Sequence, residues 1–320
     1  MTPTVFLFSG QGSQHFQMAR ALFDHDAGFR AEMRRLDARL VELAGVSAIA
    51  ALYDDANDRS VAFDALELTH PAIFMVECAL ARTLMDAGVR PDLCLGTSLG
   101  SFAAAVIAGC LDVEQALAAV VQQAAALEAC GEAGAMIAVL DELAVFERQR
   151  LHDVAELAAV NFPNHFVVSA PLAAAAGVEA RLKAARIAFQ RLPVGYAFHS
   201  RWIDAAQAPF AAFLPSLRTR AGDLPLVCCD RVAVLDALPP DFLWQVVRRP
   251  IRFAASVDLL ERQSAPHYVD LGPSGTLATF LRHQLPAARR PAVRSVLSPF
   301  GDDRARLAAL LAEWPRRRQA

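Results

Sequence analysis

Short, continuous apolar runs alternate along this chain with longer stretches whose apolar residues return every three or four positions. VFLFSG (5–10) is such a run and ends on glycine, the pattern of a strand buried on both faces of a parallel sheet. Residues 14–45 then mix apolar and charged positions at helical spacing. HPAIFMVECALARTLMDAGV (70–89) predicts a further helix, with Pro71 in its first turn and Gly88 near its stop. LCLG (93–96) is again strand-like, and alanine-rich helices at 99–109 and 113–130 complete a β-α-β-α alternation. That order predicts a mostly parallel sheet covered by helices.

The rhythm changes between about 133 and 196. GAMIAVL, DELAVFERQRL, AELAAVNF, HFVVSA, PLAAAAGVEARLKAARIA and FQRLPVGY follow one another as β-α-β-β-α-β, the split-βαβ, ferredoxin-like arrangement. Afterwards LVCC, the helical DFLWQVV and FAASVDLLERQ, the strand HYVDLG, the helix TLATFLRHQL and the strand AVRSVL resume the first pattern. The expected organisation is a large α/β domain of residues 1–131 and 198–320, interrupted by a small ferredoxin-like domain of residues 132–197. The AAAA run at 173–176 sits in a helical window and reads as packing.

Composition narrows the possibilities. With 320 residues, 55% of them hydrophobic, the chain can bury a large core, and its net charge of −3 comes from interspersed signs. No long basic block points to nucleic acid as a partner; the closing WPRRRQA reads as a solvated basic end. Six cysteines at 78, 94, 110, 130, 228 and 229 show no C-x-x-C spacing, so buried free thiols in a reducing compartment are expected. MTPTVFLFSG is too short and glycine-broken for a signal peptide. No apolar run reaches the roughly 18 residues of a membrane span. A cytoplasmic protein is the expectation.

One junction carries chemistry. Gly96-Thr97-Ser98-Leu99-Gly100 fits the G-x-S-x-G nucleophile elbow, where a strand stops, turns sharply and enters a helix. The serine oxygen is then held near backbone N–H groups at a helix start, where negative charge is favoured. A serine needs a base, normally histidine, to take its proton. Of eight histidines, His199 in LPVGYAFHSRWI stands at the end of a strand-like segment. His15, His25 and His283 fall in charge-rich helical windows, and His70 reads as a helix cap or a wall residue. His152, His165 and His267 have no evident chemical neighbours.

FLFSGQGSQ, GTSLG, YAFHS, LWQVVRRPIRF and VDLGPSGTL together resemble the malonyl-CoA:acyl-carrier-protein transacylase family, which includes the acyltransferases of polyketide synthases. The motifs follow the family's order and spacing over essentially the whole chain. The resemblance implies an α/β-hydrolase-like large domain with an inserted ferredoxin-like domain. It implies Ser98 as the acylated nucleophile and His199 as its base, held by a main-chain carbonyl whose matching position is Arg252. It implies oxyanion donors at the backbone N–H groups of Gln11 and Leu99, each worth about 3–4 kcal/mol in the transition state.

The departures from the family bear on the substrate. Family members that load malonyl units grip its carboxylate with an arginine, and that position falls on Gln123. From Pro91 to Glu147 the chain contains no arginine or lysine. A buried carboxylate without its partner costs roughly 3–5 kcal/mol, about two to three and a half powers of ten in rate. Thr97 replaces the family's histidine before the serine, and Tyr196 and Phe198 mix two versions of its specificity motif. Gln123, Thr97, Tyr196 and Phe198 are therefore the expected substrate-binding residues.

The resemblance extends to the standalone acyl hydrolases of trans-acyltransferase polyketide pathways. The function it implies is proofreading: hydrolysis of non-malonyl acyl groups from the phosphopantetheine arm of an acyl carrier protein, with no cofactor or metal. Neither nucleic acid nor a membrane is an expected partner. Two alternatives stand beside it: transfer of a neutral starter acyl group from coenzyme A to a carrier protein, and an inactive homologue that serves as a docking partner. A basic rim that includes Arg201, Arg248 or Arg249 could receive the acidic carrier.

Overall fold

A computed structural model describes residues 2–314. The basic end at 315–320 lies outside the described residues. Among the described residues ten strands run in chain order: β1 (Thr4–Phe8), β2 (Leu93–Gly96), β3 (Gly134–Val139), β4 (Glu156–Phe162), β5 (His165–Pro171), β6 (Phe189–Arg191), β7 (Ala221–Cys228), β8 (Ala233–Ala237), β9 (His267–Asp270) and β10 (Val293–Ser295). Six of them form one sheet in the order β10-β9-β1-β2-β7-β8. All its pairings are parallel except the last, β7 with β8.

Every residue of β1 is buried, because helices cover both faces of the sheet. Successive side chains point to opposite faces, and the two cores divide accordingly. Phe6 and Phe8 join a cluster with residues of the helices Ala27–Ala44, Leu66–Asp86 and Val113–Cys130. Val5 and Leu7 join Leu95, Val227, Phe253 and Leu281 on the opposite face. The alternation of strands and helices read from the sequence is thus a parallel sheet with two apolar interiors.

The other four strands form a separate antiparallel sheet in the order β4-β5-β3-β6. One face packs Ile137, Val139, Phe166 and Val168 against Val178 and Leu182 of the helix Leu172–Ala184. The other face turns Met136, Ala138, Ala159 and Val167 toward the core of the large sheet. A two-bond clamp joins the units: Val160 N–H donates to the Ile251 carbonyl and Ile251 N–H to that of Ala158, each at 2.8 Å. The clamp fixes the small sheet over the segment that follows Arg249.

Three elements differ from the sequence reading. The helix expected at 70–89 begins at Leu66 and places Pro71 inside its second turn. The stretch 14–45 is a loop and then two helices, Arg20–His25 and Ala27–Ala44; Asp26 separates them and caps the second by accepting from Phe29 N–H. The edge strand β8 and the helix Asp303–Glu313 were not anticipated. Five cysteines are buried and Cys130 is half-buried, all as free thiols. No helix among the described residues is long and apolar enough to cross a membrane.

Candidate active site

The elbow is built by close approach of two backbones. β2 stops at Gly96, and the helix Gly100–Ile107 begins four residues later. Between them Ser98 adopts φ 53°, a left-handed conformation that costs a non-glycine residue of order 1–3 kcal/mol and concentrates at functional sites. Glycine at 100 lets the helix start lie on β1, since a Cβ there would fall 2.3 Å from the Phe8 carbonyl oxygen. Ser98 is thereby held in the lining of a cavity.

His199 is the second strained residue, at φ 60°. Its own N–H donates to the Val247 carbonyl at 3.0 Å. Its Nδ1 lies 2.7 Å from the Arg249 carbonyl oxygen and its Nε2 3.0 Å from Ser98 Oγ. A carbonyl can only accept, so Nδ1 carries the proton and the Nε2 lone pair faces the hydroxyl. Burial lowers the imidazole pKa to about 4; the Arg249 carbonyl pulls the other way, and Arg248 adds to the lowering. The ring is neutral at physiological pH, with its lone pair free to take a proton.

The carbonyl behind His199 belongs to Arg249 and not, as the motif match suggested, to Arg252. Arg249 caps the helix Phe242–Arg248 in an extended conformation, so its carbonyl turns away from the helix axis. Arg252 begins the next helix, and its carbonyl is occupied by the N–H and the hydroxyl of Ser256, both at 3.0 Å.

Two backbone donors stand beside the serine. Neither the Gln11 nor the Leu99 N–H makes a hydrogen bond among the described residues. The Gly10–Gln11 loop approaches closely: a Cβ on Gly10 would sit 2.9 Å from Ser98 Cβ and 3.4 Å from the Leu99 nitrogen. The Gln11 side chain is turned aside and donates to Thr69 Oγ1 at 3.1 Å. A negative oxygen forming at Ser98 would meet unused donors and a helix start.

The cavity, of about 500 Å³, lies between the two sheets. β1 and β2 and the loops after them supply Gln11, Thr97 and Ser98, and the small sheet supplies Met136, Ala138, Ala159 and Val167. None of the described residues that line it is an arginine or a lysine. Of the four substrate-binding residues read from the sequence, Thr97 and Phe198 line the cavity, but Gln123 and Tyr196 do not. The Phe198 ring packs 6.0 Å from the ring of His70 and 6.1 Å from that of Tyr196. Gln123 is buried in the helix Val113–Cys130, and neither amide atom has a partner.

The sequence reading gave His165 no partners, took His70 for a helix cap or a wall residue, and did not single out Glu77. His165 lines the cavity, accepts from Asn161 Nδ2 at 3.1 Å and packs against Phe162 and Phe280; the period-2 strand pattern AELAAVNF…HFVVSA held the signal that Asn161 and His165 meet across a turn. His70 lies within a helix, fully buried, with neither ring nitrogen paired. Glu77 is a lone carboxyl in an otherwise apolar helix face, a signal that was legible. Of the arginines proposed as a rim, Arg248 pairs with Asp204 and Arg201 with Glu156, while Arg249 bonds Gln245 Oε1.

Residues 5–236 match the family described as the acyl transferase domain. The chain is 39% identical over 306 residues to "Polyketide biosynthesis acyltransferase homolog BaeD" of Bacillus velezensis, covering 95% of this chain and 94% of that protein. It is 37% identical to "Polyketide biosynthesis acyltransferase homolog PksD" of Bacillus subtilis, covering 93% and 92%. The acyltransferase domain from the second module of the salinomycin polyketide synthase superposes with a TM-score of 0.86 at 29% identity, over 99% of this chain and 74% of that one. A loading acyltransferase from the avermectin polyketide synthase gives 0.87 at 26%, over 97% and 99%. A parallel sheet carrying the serine elbow, a separate antiparallel sheet over it and a match along most of the sequence lead to one assignment: the chain belongs to the acyl transferase domain family.

Proposed function

We propose that this protein hydrolyses neutral acyl groups from the phosphopantetheine thiol of an acyl carrier protein, in a proofreading role in polyketide biosynthesis. Ser98 Oγ attacks the thioester carbonyl as its proton passes to His199 Nε2. The oxyanion is received by the N–H groups of Gln11 and Leu99. As the C–S bond breaks, the imidazolium gives its proton to the departing thiolate. Water then attacks the acyl-serine, His199 takes a proton from it, and that proton returns to Ser98 as the free acid leaves. No carboxylate backs the histidine; the Arg249 carbonyl holds the ring in the working tautomer. Burial disfavours the imidazolium, so it surrenders its proton readily to the sulfur.

The observation that carries this reading is the absence of arginine and lysine from the cavity lining. A malonyl carboxylate drawn against Ser98 would lose its hydration without gaining a counterion. Alanine, valine, methionine, leucine and phenylalanine side chains in the lining suit an uncharged chain. The polyketide context and the carrier-protein partner are taken from the family and from the relatives' names.

Transfer to a second thiol uses the same groups, so the deciding experiment offers both acceptors. Acetyl-loaded carrier protein is incubated with the enzyme, with and without a second, unloaded carrier of different mass. Free acetate formed at the same rate in both mixtures is expected. Acetyl appearing on the second carrier faster than in solution would establish a transferase instead. An unreactive acetyl carrier would favour a docking role.

A further inference from the structure

The peptide that presents the Gln11 N–H also contains the Gly10 carbonyl, and a chain of hydroxyl groups leads from that carbonyl to Glu77. Ser13 Oγ donates to the Gly10 oxygen at 2.8 Å. Ser9 Oγ lies 2.9 Å from Ser13 Oγ and 3.1 Å from Glu77 Oε1. Ser9 N–H donates to the same Glu77 oxygen at 2.6 Å. Ser9, Ser13 and Glu77 are all buried, with Glu77 at 0% exposure. Gly272 packs against Ser9, and a Cβ there would fall 2.3 Å from the Ser9 oxygen.

With all three oxygen–oxygen contacts made as hydrogen bonds, counting protons leaves one direction for the chain. The Gly10 carbonyl can only accept, so the Ser13 proton goes there. Ser13 must then accept from Ser9, which uses the one proton Ser9 owns. The remaining contact, Ser9 Oγ to Glu77 Oε1, is a hydrogen bond only if Glu77 is the donor, which requires the protonated, uncharged acid. Burial raises the Glu77 pKa well above its ordinary value; the Ser9 hydrogen bonds pull it down, and the nearby Asp270 carboxyl adds to the rise.

We infer that Glu77 acts as a neutral acid that, through Ser9 and Ser13, orients and polarises the Gly10–Gln11 peptide so that the Gln11 N–H faces the oxyanion. Each hydroxyl in such a series is a stronger donor for having accepted from the one behind it, and all three links point toward the Gly10 oxygen. Pulling electron density onto that oxygen makes the N–H of the same peptide a better donor. Glu77 touches no substrate; it is a positioning residue, and its role rests on the proposal that Ser98 is acylated.

The test measures single-turnover acylation of Ser98 by the acetyl thioester of N-acetylcysteamine, by intact mass, over a range of thioester concentrations. Ser13→Ala is expected to lower the maximal rate about tenfold, less than loss of a direct oxyanion donor, with half-saturation unchanged. Ser13→Thr, which keeps the hydroxyl, is expected to restore the rate to within about threefold. Glu77→Gln keeps an uncharged donor for Ser9 Oγ and an acceptor for Ser9 N–H and is expected to retain most of the rate, whereas Glu77→Leu loses it. Ser13→Ala acylating at the wild-type rate, or changing half-saturation alone, would overturn the inference while leaving the function intact. Glu77→Gln falling as far as Glu77→Leu would also overturn it, by showing that the charged form is needed. A wild-type enzyme that never becomes acylated would overturn both readings together.

Discussion

Both ring nitrogens of His199 are committed, Nδ1 to the Arg249 carbonyl and Nε2 to the Ser98 hydroxyl. The ring works as a base only when neutral, and burial has lowered its pKa to about 4. A base with a lowered pKa stays competent into acid, because protonation begins only as pH falls through the lowered value. The pH profile of kcat/KM for an acyl thioester should therefore be level from about pH 8 to about pH 5 and fall below that. A limb with its midpoint near the ordinary 6.5 would contradict the buried, uncharged ring. That Ser98, His199, Gln11 and Leu99 come together was legible because glycine-framed turns and short motifs record local backbone demands. The Arg249 carbonyl was not. Which carbonyl faces a ring depends on where one helix stops and the next begins, and in RRPIRF that boundary lies three residues before the arginine favoured by the motif.

At the scale of elements, the helix Val113–Cys130 presents a question of its own. It buries Gln123 at 1% exposure with both amide atoms unpaired, a condition that costs about 1–3 kcal/mol relative to a satisfied or apolar side chain. Gln123→Met keeps the length and removes the unpaired groups, so thermal unfolding should shift upward by a few degrees. Because Gln123 does not line the cavity, the rate of acetyl release should stay as it was. A lower melting temperature, or an altered choice among acyl chains, would mean that the amide has a partner in the working enzyme. The sequence placed this helix at its true limits because Asp112 caps it, a local signal. It missed β8, whose half-exposed residues form an antiparallel edge joined to β7, and whose pairing no local pattern encodes. It began the helix Leu66–Asp86 late because Pro71, a usual first-turn residue, sits within its second turn.

In the molecule as a whole, the proposed Ser98–His199 pair lies beside the large sheet, while much of the cavity wall belongs to the small one. Ser98 follows β2, and His199 lies just beyond the small unit, on the segment that leads out of β6. The Val160–Ile251 clamp joins β4 to the stretch that carries the Arg249 carbonyl, so the roof and the base are held by a common strand of chain. The strand and helix order of both sheets was largely readable from hydrophobic periodicity; the space between the sheets was not, because it depends on which faces two separate sheets leave unfilled. Among the described residues no arginine or lysine lines that space, and the proposed selectivity for uncharged acyl groups rests on this single property. It is tested most directly by presenting acetyl-loaded and malonyl-loaded forms of one carrier protein to the enzyme together and following both arms by mass spectrometry. Loss of acetyl with malonyl retained, at rates at least about a hundredfold apart, is the expected result. Malonyl released as fast as acetyl, or faster, would contradict it.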